Sequence, residues 1–276
     1  MFKNSNVIER KLYRNLIVIF CVIIIIFSID YVLIKIQERT PIKNPIFVIN
    51  VDSAKSRLEA MKRKLGDAQF TKLAITPSDL KLTFVDSQDR KRTISNLTMS
   101  PDIIYDNKDW TPPIKVHCGK DDSFIWTSSR KISPGEFGCF CSHRAIWKKI
   151  VEQQLDNVLV FEDDVVFSRF FKLILFALNT KYLPYKFDYI DLRRKKGKIF
   201  NVLLNSDIAV RWGAESYMVS LQGAKKLLSF SNEADREIDH VIGNFILDHK
   251  STFGMRYAIS KGQEYGRQKV NNTTIR

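Results

Sequence analysis

Cysteine is scarce in this chain, and its arrangement points away from a zinc module. Cys21, Cys118, Cys139 and Cys141 are the four cysteines of 276 residues, with no Cys-x-x-Cys pair and no partnering histidine at zinc-finger spacing. Cys21 lies in an apolar run, and the three others cannot all pair within one chain. That odd count points to a reducing compartment, with one bridge from Cys118 left open. No aromatic RNA-binding signature accompanies the formal charge of +14, so nucleic acid is excluded as a partner. The charge reads instead as attraction to an acidic surface, such as anionic lipid or a phosphorylated glycolipid. There is no internal repeat, and 45% hydrophobic with 27% charged residues excludes wholesale disorder.

What the chain does have is one long apolar run. Leu16 to Ile34 is broken only by Ser28 and Asp30, and as a helix it rises roughly 28 Å, close to the ~30 Å hydrocarbon core of a bilayer. The run predicts a single-pass anchor over 16–34, after a basic segment at 1–15. A cleaved signal peptide and a buried all-apolar helix are the competing readings. A signal peptide is disfavoured because the run ends in Ile34-Lys35-Ile36-Gln37, without small residues for cleavage. Asp30 is placed at headgroup level, where its charge costs less than at the bilayer centre. Basic residues flank both ends about equally, so the charge rule does not orient the anchor.

Residues 35–44, with Pro41, read as a stiff linker, and a domain is expected over 45–260, followed by a polar tail at 261–276. Ile46 to Val51 reads as a strand and Ser53 to Leu65 as a helix, the opening of an α/β fold. The stretch from Thr71 to Lys131, which contains Trp110 and Trp126, cannot be traced. Ser142 is the expected N-cap of a helix carrying Ile146, Trp147, Ile150 and Val151. That helix feeds Val158 to Phe161, a continuous apolar run expected to be a strand buried on both faces. Ser168 to Leu178 reads as a buried helix, Phe187 to Leu192 as a strand, and Tyr217 to Ser220 with Gly223 to Leu228 as a further strand and helix. The alternation predicts one α/β domain of Rossmann-like architecture.

The strand at 158–161 runs into Glu162, Asp163 and Asp164. Ligands of open α/β sheets gather outside the carboxyl ends of strands, which makes this cluster a candidate site. If the chain stays extended, Glu162 and Asp164 point to one side and Asp163 to the other. Two converging carboxylates suit Mg²⁺ or Mn²⁺, with a nucleotide diphosphate completing the coordination. Three consecutive acids also form solvated turns or helix caps, so the tripeptide alone is weak.

Its neighbourhood is more specific. Ser133 to His143 (SPGEFGCFCSH), a helix, and then LVFEDDVVF follow within about 35 residues, an order that resembles glycosyltransferase family 25. Phe47 to Asn50 with Arg57 resembles the family's opening strand and helix, Trp212 to Leu228 a later block, and Ile238-Asp239-His240 its final acidic motif. Cys141 stands where an aliphatic residue is expected.

The resemblance implies an A-type glycosyltransferase fold, a UDP-sugar donor, a divalent metal (Mn²⁺ or Mg²⁺) and inversion. Glu162 and Asp164 are then the metal ligands. Asn50, Asp52, Arg57, Asp163 and Arg193 are expected around the nucleotide sugar. Asp239 is the first candidate for the base that takes the acceptor proton, with Glu136 and His143 behind it. Arg193, Arg194, Lys195, Lys196 and Lys198 form a basic run that is either a solvated loop or a phosphate contact. The expected acceptor is a saccharide on a lipooligosaccharide or similar glycolipid. The expected location is a bacterial inner membrane with a cytoplasmic catalytic domain. A metal-dependent phosphohydrolase would need further His and Asp ligand motifs that the chain lacks, and an inactive scaffold of the same fold is the remaining rival.

Overall fold

The computed structural model describes residues 5–85, 88–97, 112–130, 132–209 and 212–261. Trp110 and nearly all of the polar tail lie outside them.

Helix α1 (Ser5–Arg39) includes the apolar run and continues through residues 35–39, which the sequence assigned to a linker. Residues Asn15–Arg39 are long and apolar enough to cross a membrane, and none of this span is buried in the protein. A signal sequence near an N-terminus satisfies the same criteria. Asp30 accepts a hydrogen bond from Arg169 at 2.5 Å, and Gln37 donates to the Arg169 carbonyl, so the helix has a defined contact with the domain.

The domain opens as expected, with β1 (Ile46–Ile49) followed by α2 (Lys55–Leu65). The stretch that the sequence left untraced opens with β2 (Thr71–Leu73). It supplies β3 (Leu80–Val85), β4 (Lys91–Ser95), β5 (Ile114–Cys118) and β6 (Ser123–Trp126), four antiparallel strands of a second sheet. Burial alternates along β3, and Trp126 is fully buried.

Helix α3 (Pro134–Glu152) starts nine residues earlier than expected. Its N-cap is Ser133, not Ser142. The Ser133 hydroxyl accepts from the Glu136 N–H, the Glu136 carboxylate accepts from the Ser133 N–H, and Pro134 occupies the first turn. Ser142 lies mid-helix, donating to the Gly138 carbonyl and accepting from the Ile75 N–H. Gly138 allows this close approach, since a Cβ there would lie 2.8 Å from the Ile75 carbonyl oxygen.

The remaining elements are β7 (Val158–Glu162), β8 (Val166–Phe167), α4 (Phe171–Ala177), β9 (Tyr189–Arg194), β10 (Lys198–Ile199) and β11 (Leu204–Ser206). They are followed by β12 (Ser216–Val219), α5 (Leu221–Phe230), β13 (Glu233–Ala234), α6 (Ile238–Asp248), β14 (Thr252–Met255) and β15 (Ser260–Lys261). The main sheet has the order β10-β11-β14-β9-β12-β7-β1-β2. It is mixed: β7, β1 and β2 are parallel, while β12 runs antiparallel between β7 and β9. The α/β class therefore holds, with a second sheet, β13-β6-β5-β3-β4, beside α3.

Strand β7 is buried on both faces. Val158 and Val160 enter the core that α3 and the second sheet share, while Leu159 and Phe161 enter the core beneath α2 and α4. Burying each such side chain contributes about 1.5–3 kcal/mol, which makes β7 a rigid support for the acids at its end.

A disulfide joins Cys118 of β5 to Cys141 of α3, leaving Cys21 and Cys139 free. The bridge weighs against the reducing compartment, and with it the cytoplasmic placement, read from unpaired thiols, because such bonds persist in oxidising environments. The Cys141 thiol thus has a partner that a strictly aliphatic residue would not offer.

Candidate active site

The acid cluster is held by its backbone first. The Glu162 N–H donates to the Glu215 carbonyl at 2.8 Å, and the Asp163 N–H donates to the Ile49 carbonyl at 3.1 Å, so the turn after β7 is pinned between β12 and β1. The side chains then diverge. Asp163 turns toward α2, where Asn50 donates to its carboxylate at 2.5 Å and Arg57 pairs with it at 3.2 Å. Asn50 also donates to the Ala54 carbonyl. Asn50, Arg57 and Asp163 are therefore brought together, at the end of the first strand.

Glu162 turns to the opposite face. Its carboxylate lies 3.4 Å from His143 Nε2, and His143 Nδ1 lies 2.8 Å from the Tyr217 hydroxyl, which also accepts from the Trp147 indole at 3.0 Å. Burial pushes the fully buried His143 down to about 4, so the imidazole is neutral.

Burial raises Glu162 to about 8, reinforced by Asp164, Glu215 and Asp163. Asp239, in the first turn of α6, is pushed up to about 6 by burial and then by Glu162 and Glu215. Burial also raises Asp163 and Asp164. Several carboxyls thus share one half-buried region and cannot all ionise cheaply. One oxygen of Asp164 is buried with no hydrogen-bond partner among the described residues. An oxygen-rich pocket with an orphaned carboxylate oxygen fits a hard divalent cation, which would offset the crowding of these carboxyls.

Other expected residues sit differently. Asp52 is exposed and pairs with Lys72. Glu136 is occupied as the cap of α3 and lies 3.5 Å from Arg130, which also pairs with Glu237. Arg193 is engaged by protein groups: it donates to both oxygens of Asp191, to Glu215 at 2.6 Å, and to the carbonyls of Trp212 and Gly213. Lys195 is likewise turned inward, 2.9 Å from Asp191, so the basic run is not simply a solvated loop.

Three residues of the site escaped the sequence reading. Glu215 sits just before β12, Tyr217 orients His143, and Cys139 lies one turn before His143 on α3. The family-like block at 212–228 was the available signal for the first two. The half-exposed Trp212 ring also stacks on His240, next to Asp239, with centroids 3.9 Å apart.

The profile described as glycosyltransferase family 25 (LPS biosynthesis protein) matches residues 43–242, which include the second sheet, every strand of the main sheet except β14, and every residue of this cluster. The chain belongs to glycosyltransferase family 25. Among curated relatives it is 29% identical over 192 residues to procollagen galactosyltransferase 2 of Mus musculus, covering 66% of this chain and 27% of that protein. It is 32% identical over 212 residues to procollagen galactosyltransferase 1-A of Xenopus laevis, covering 71% and 30%. A shorter match, 34% over 110 residues, is to the probable inactive glycosyltransferase 25 family member 3 of Bos taurus, covering 37% and 18%. The chain spans less than a third of the length of these relatives.

Proposed function

We propose that this family 25 chain transfers a hexose, galactose in the first instance, from a UDP-sugar to a saccharide acceptor on a lipooligosaccharide or similar glycolipid. The reaction inverts the anomeric carbon and uses a divalent cation. The observation that carries this reading is the convergence of Glu162, Asp164, Glu215 and Asp239 at the carboxyl end of β7, inside the family match. The names of two relatives, both galactosyltransferases, support the hexose, and α1 supports an acceptor at a membrane surface.

In this account Glu162 and Asp164 hold the cation, which when bound neutralises the charge gained by the departing diphosphate. Asn50 and Arg57 fix Asp163, leaving it to meet donor hydroxyls. Asp239 accepts the proton of the acceptor hydroxyl, since its raised basicity suits a base working near neutrality. His143, neutral and held by Tyr217, positions Glu162.

An inactive scaffold is the second reading, favoured by the bovine relative, which is named a probable inactive family member. To separate the two, the full-length chain in detergent is given UDP-galactose or UDP-glucose with Mn²⁺ or with EDTA. Slow UDP release that needs the cation, and falls about 10²-fold or more in Asp164→Ala, is the expected result. A folded protein that neither releases nor binds UDP would establish the scaffold.

A further inference from the structure

Cys139 and His143 are one helical turn apart on α3, so their side chains share a face. Glu162 approaches that face from the end of β7. The Cys139 Sγ, a ring nitrogen of His143 and a carboxylate oxygen of Glu162 all lie within 4.8 Å of one another. This is a different donor set from the carboxylate oxygens assigned to the donor's cation, because it adds sulfur and imidazole nitrogen. Sequence spacing alone did not reveal it, since the third ligand comes from another element.

We propose that Cys139, His143 and Glu162 form a binding site for a Zn²⁺-class transition metal, with a fourth position left to water or a neighbouring carboxylate. Three protein ligands of mixed sulfur, nitrogen and oxygen type suit tetrahedral Zn²⁺ or Co²⁺, and thiolate with imidazole disfavours Mg²⁺ and Mn²⁺. The surrounding contacts support the imidazole. Ligation through Nε2 leaves the proton on Nδ1, 2.8 Å from the Tyr217 oxygen, which has a second lone pair beyond the one facing Trp147. His143 is fully buried and fixed by that contact, so its ring is set for binding without losing further freedom. On binding, the thiol gives its proton to solvent and the thiolate takes the metal.

Glu162 belongs to both donor sets. A zinc-class ion therefore competes with the donor's cation and stops transfer; this consequence rests on the proposed function, whereas the binding itself does not.

The test is direct titration of the full-length chain in detergent with Co²⁺ alone, in a Cys21→Ser background that removes the other free thiol. A near-ultraviolet thiolate-to-cobalt charge-transfer band is expected, displaced by Zn²⁺. Cys139→Ser is expected to abolish the band, and His143→Gln to weaken Co²⁺ binding by about tenfold or more. No band with the starting protein, or a band that survives Cys139→Ser, overturns the site whatever the variants do to folding. In parallel, the Zn²⁺ concentration that halves Mn²⁺-supported UDP release is expected to rise by about tenfold or more in Cys139→Ser. A cobalt band in a protein that releases no UDP would uphold the site and remove the transferase reading.

Discussion

Asp239→Asn is expected to lower hexose transfer by about 10²–10⁴-fold while cation-dependent UDP binding is retained. The amide keeps the shape and first-turn position of Asp239 on α6 but cannot accept a proton. The pH profile is the sharper readout. Burial, then Glu162 and Glu215, raise this carboxyl to about 6, so a base at this position loses activity as pH falls through that value. A bound cation favours the ionised form and moves the limb below pH 6. The variant is expected to show a flat acidic limb with its residual rate. An unchanged limb in Asp239→Asn would assign the base elsewhere.

Glu162→Gln is the second large effect, and it works in opposite directions on activity and stability. Loss of a charged ligand is expected to cost about 10²–10³-fold in transfer. Without cation, the same substitution is expected to stabilise the fold at pH 8 by about 1–2 kcal/mol, since active-site charge is commonly bought at the expense of stability. The sign follows from linkage. Glu162 goes from 4.5 to about 8 on folding, so the folded chain holds its proton more tightly. The stability this carboxyl confers is complete below pH 4.5 and is lost as pH rises through about 8. The low end of the range applies because the side chain is 24% exposed. Thermal unfolding in EDTA is expected to show the variant gaining about 2–4 °C at pH 8 and much less at pH 5. A variant less stable at both pH values would mean that the contact with His143 outweighs the crowding.

Much of this site was legible because its supports are local. The continuous run Val158 to Phe161 reads as a doubly covered strand, and it places three acids at a strand end before any tertiary fact is known. Asn50 and Arg57 are equally local, a strand end and the helix that follows it. The start of α3 was misread because Gly135, Gly138 and the polar residues between the aromatics obscure the helical period. The capping pair Ser133 and Glu136 marks it, and that role occupies Glu136, one of the candidate bases. The second sheet was illegible for another reason: β3 to β6 are only four to six residues long, and the buried face of β3, β5 and β6 forms against α3, a later segment. Glu215 and Tyr217 could not be placed because their roles depend on β12 running antiparallel beside β7, a pairing between segments far apart in the chain. Arg193 illustrates the converse. A basic run at a strand end suggests phosphate, yet Asp191 and Glu215 already engage its guanidinium.

The central claim is that the end of β7 holds a cation and a nucleotide sugar together. Calorimetric titration of the full-length chain with UDP, in Mn²⁺ and in EDTA, tests it most directly. The result expected is saturable binding in Mn²⁺ that weakens by about tenfold or more in EDTA and equally in Asp164→Ala. Binding of UDP with the same affinity in EDTA, or undiminished in Asp164→Ala, would contradict it.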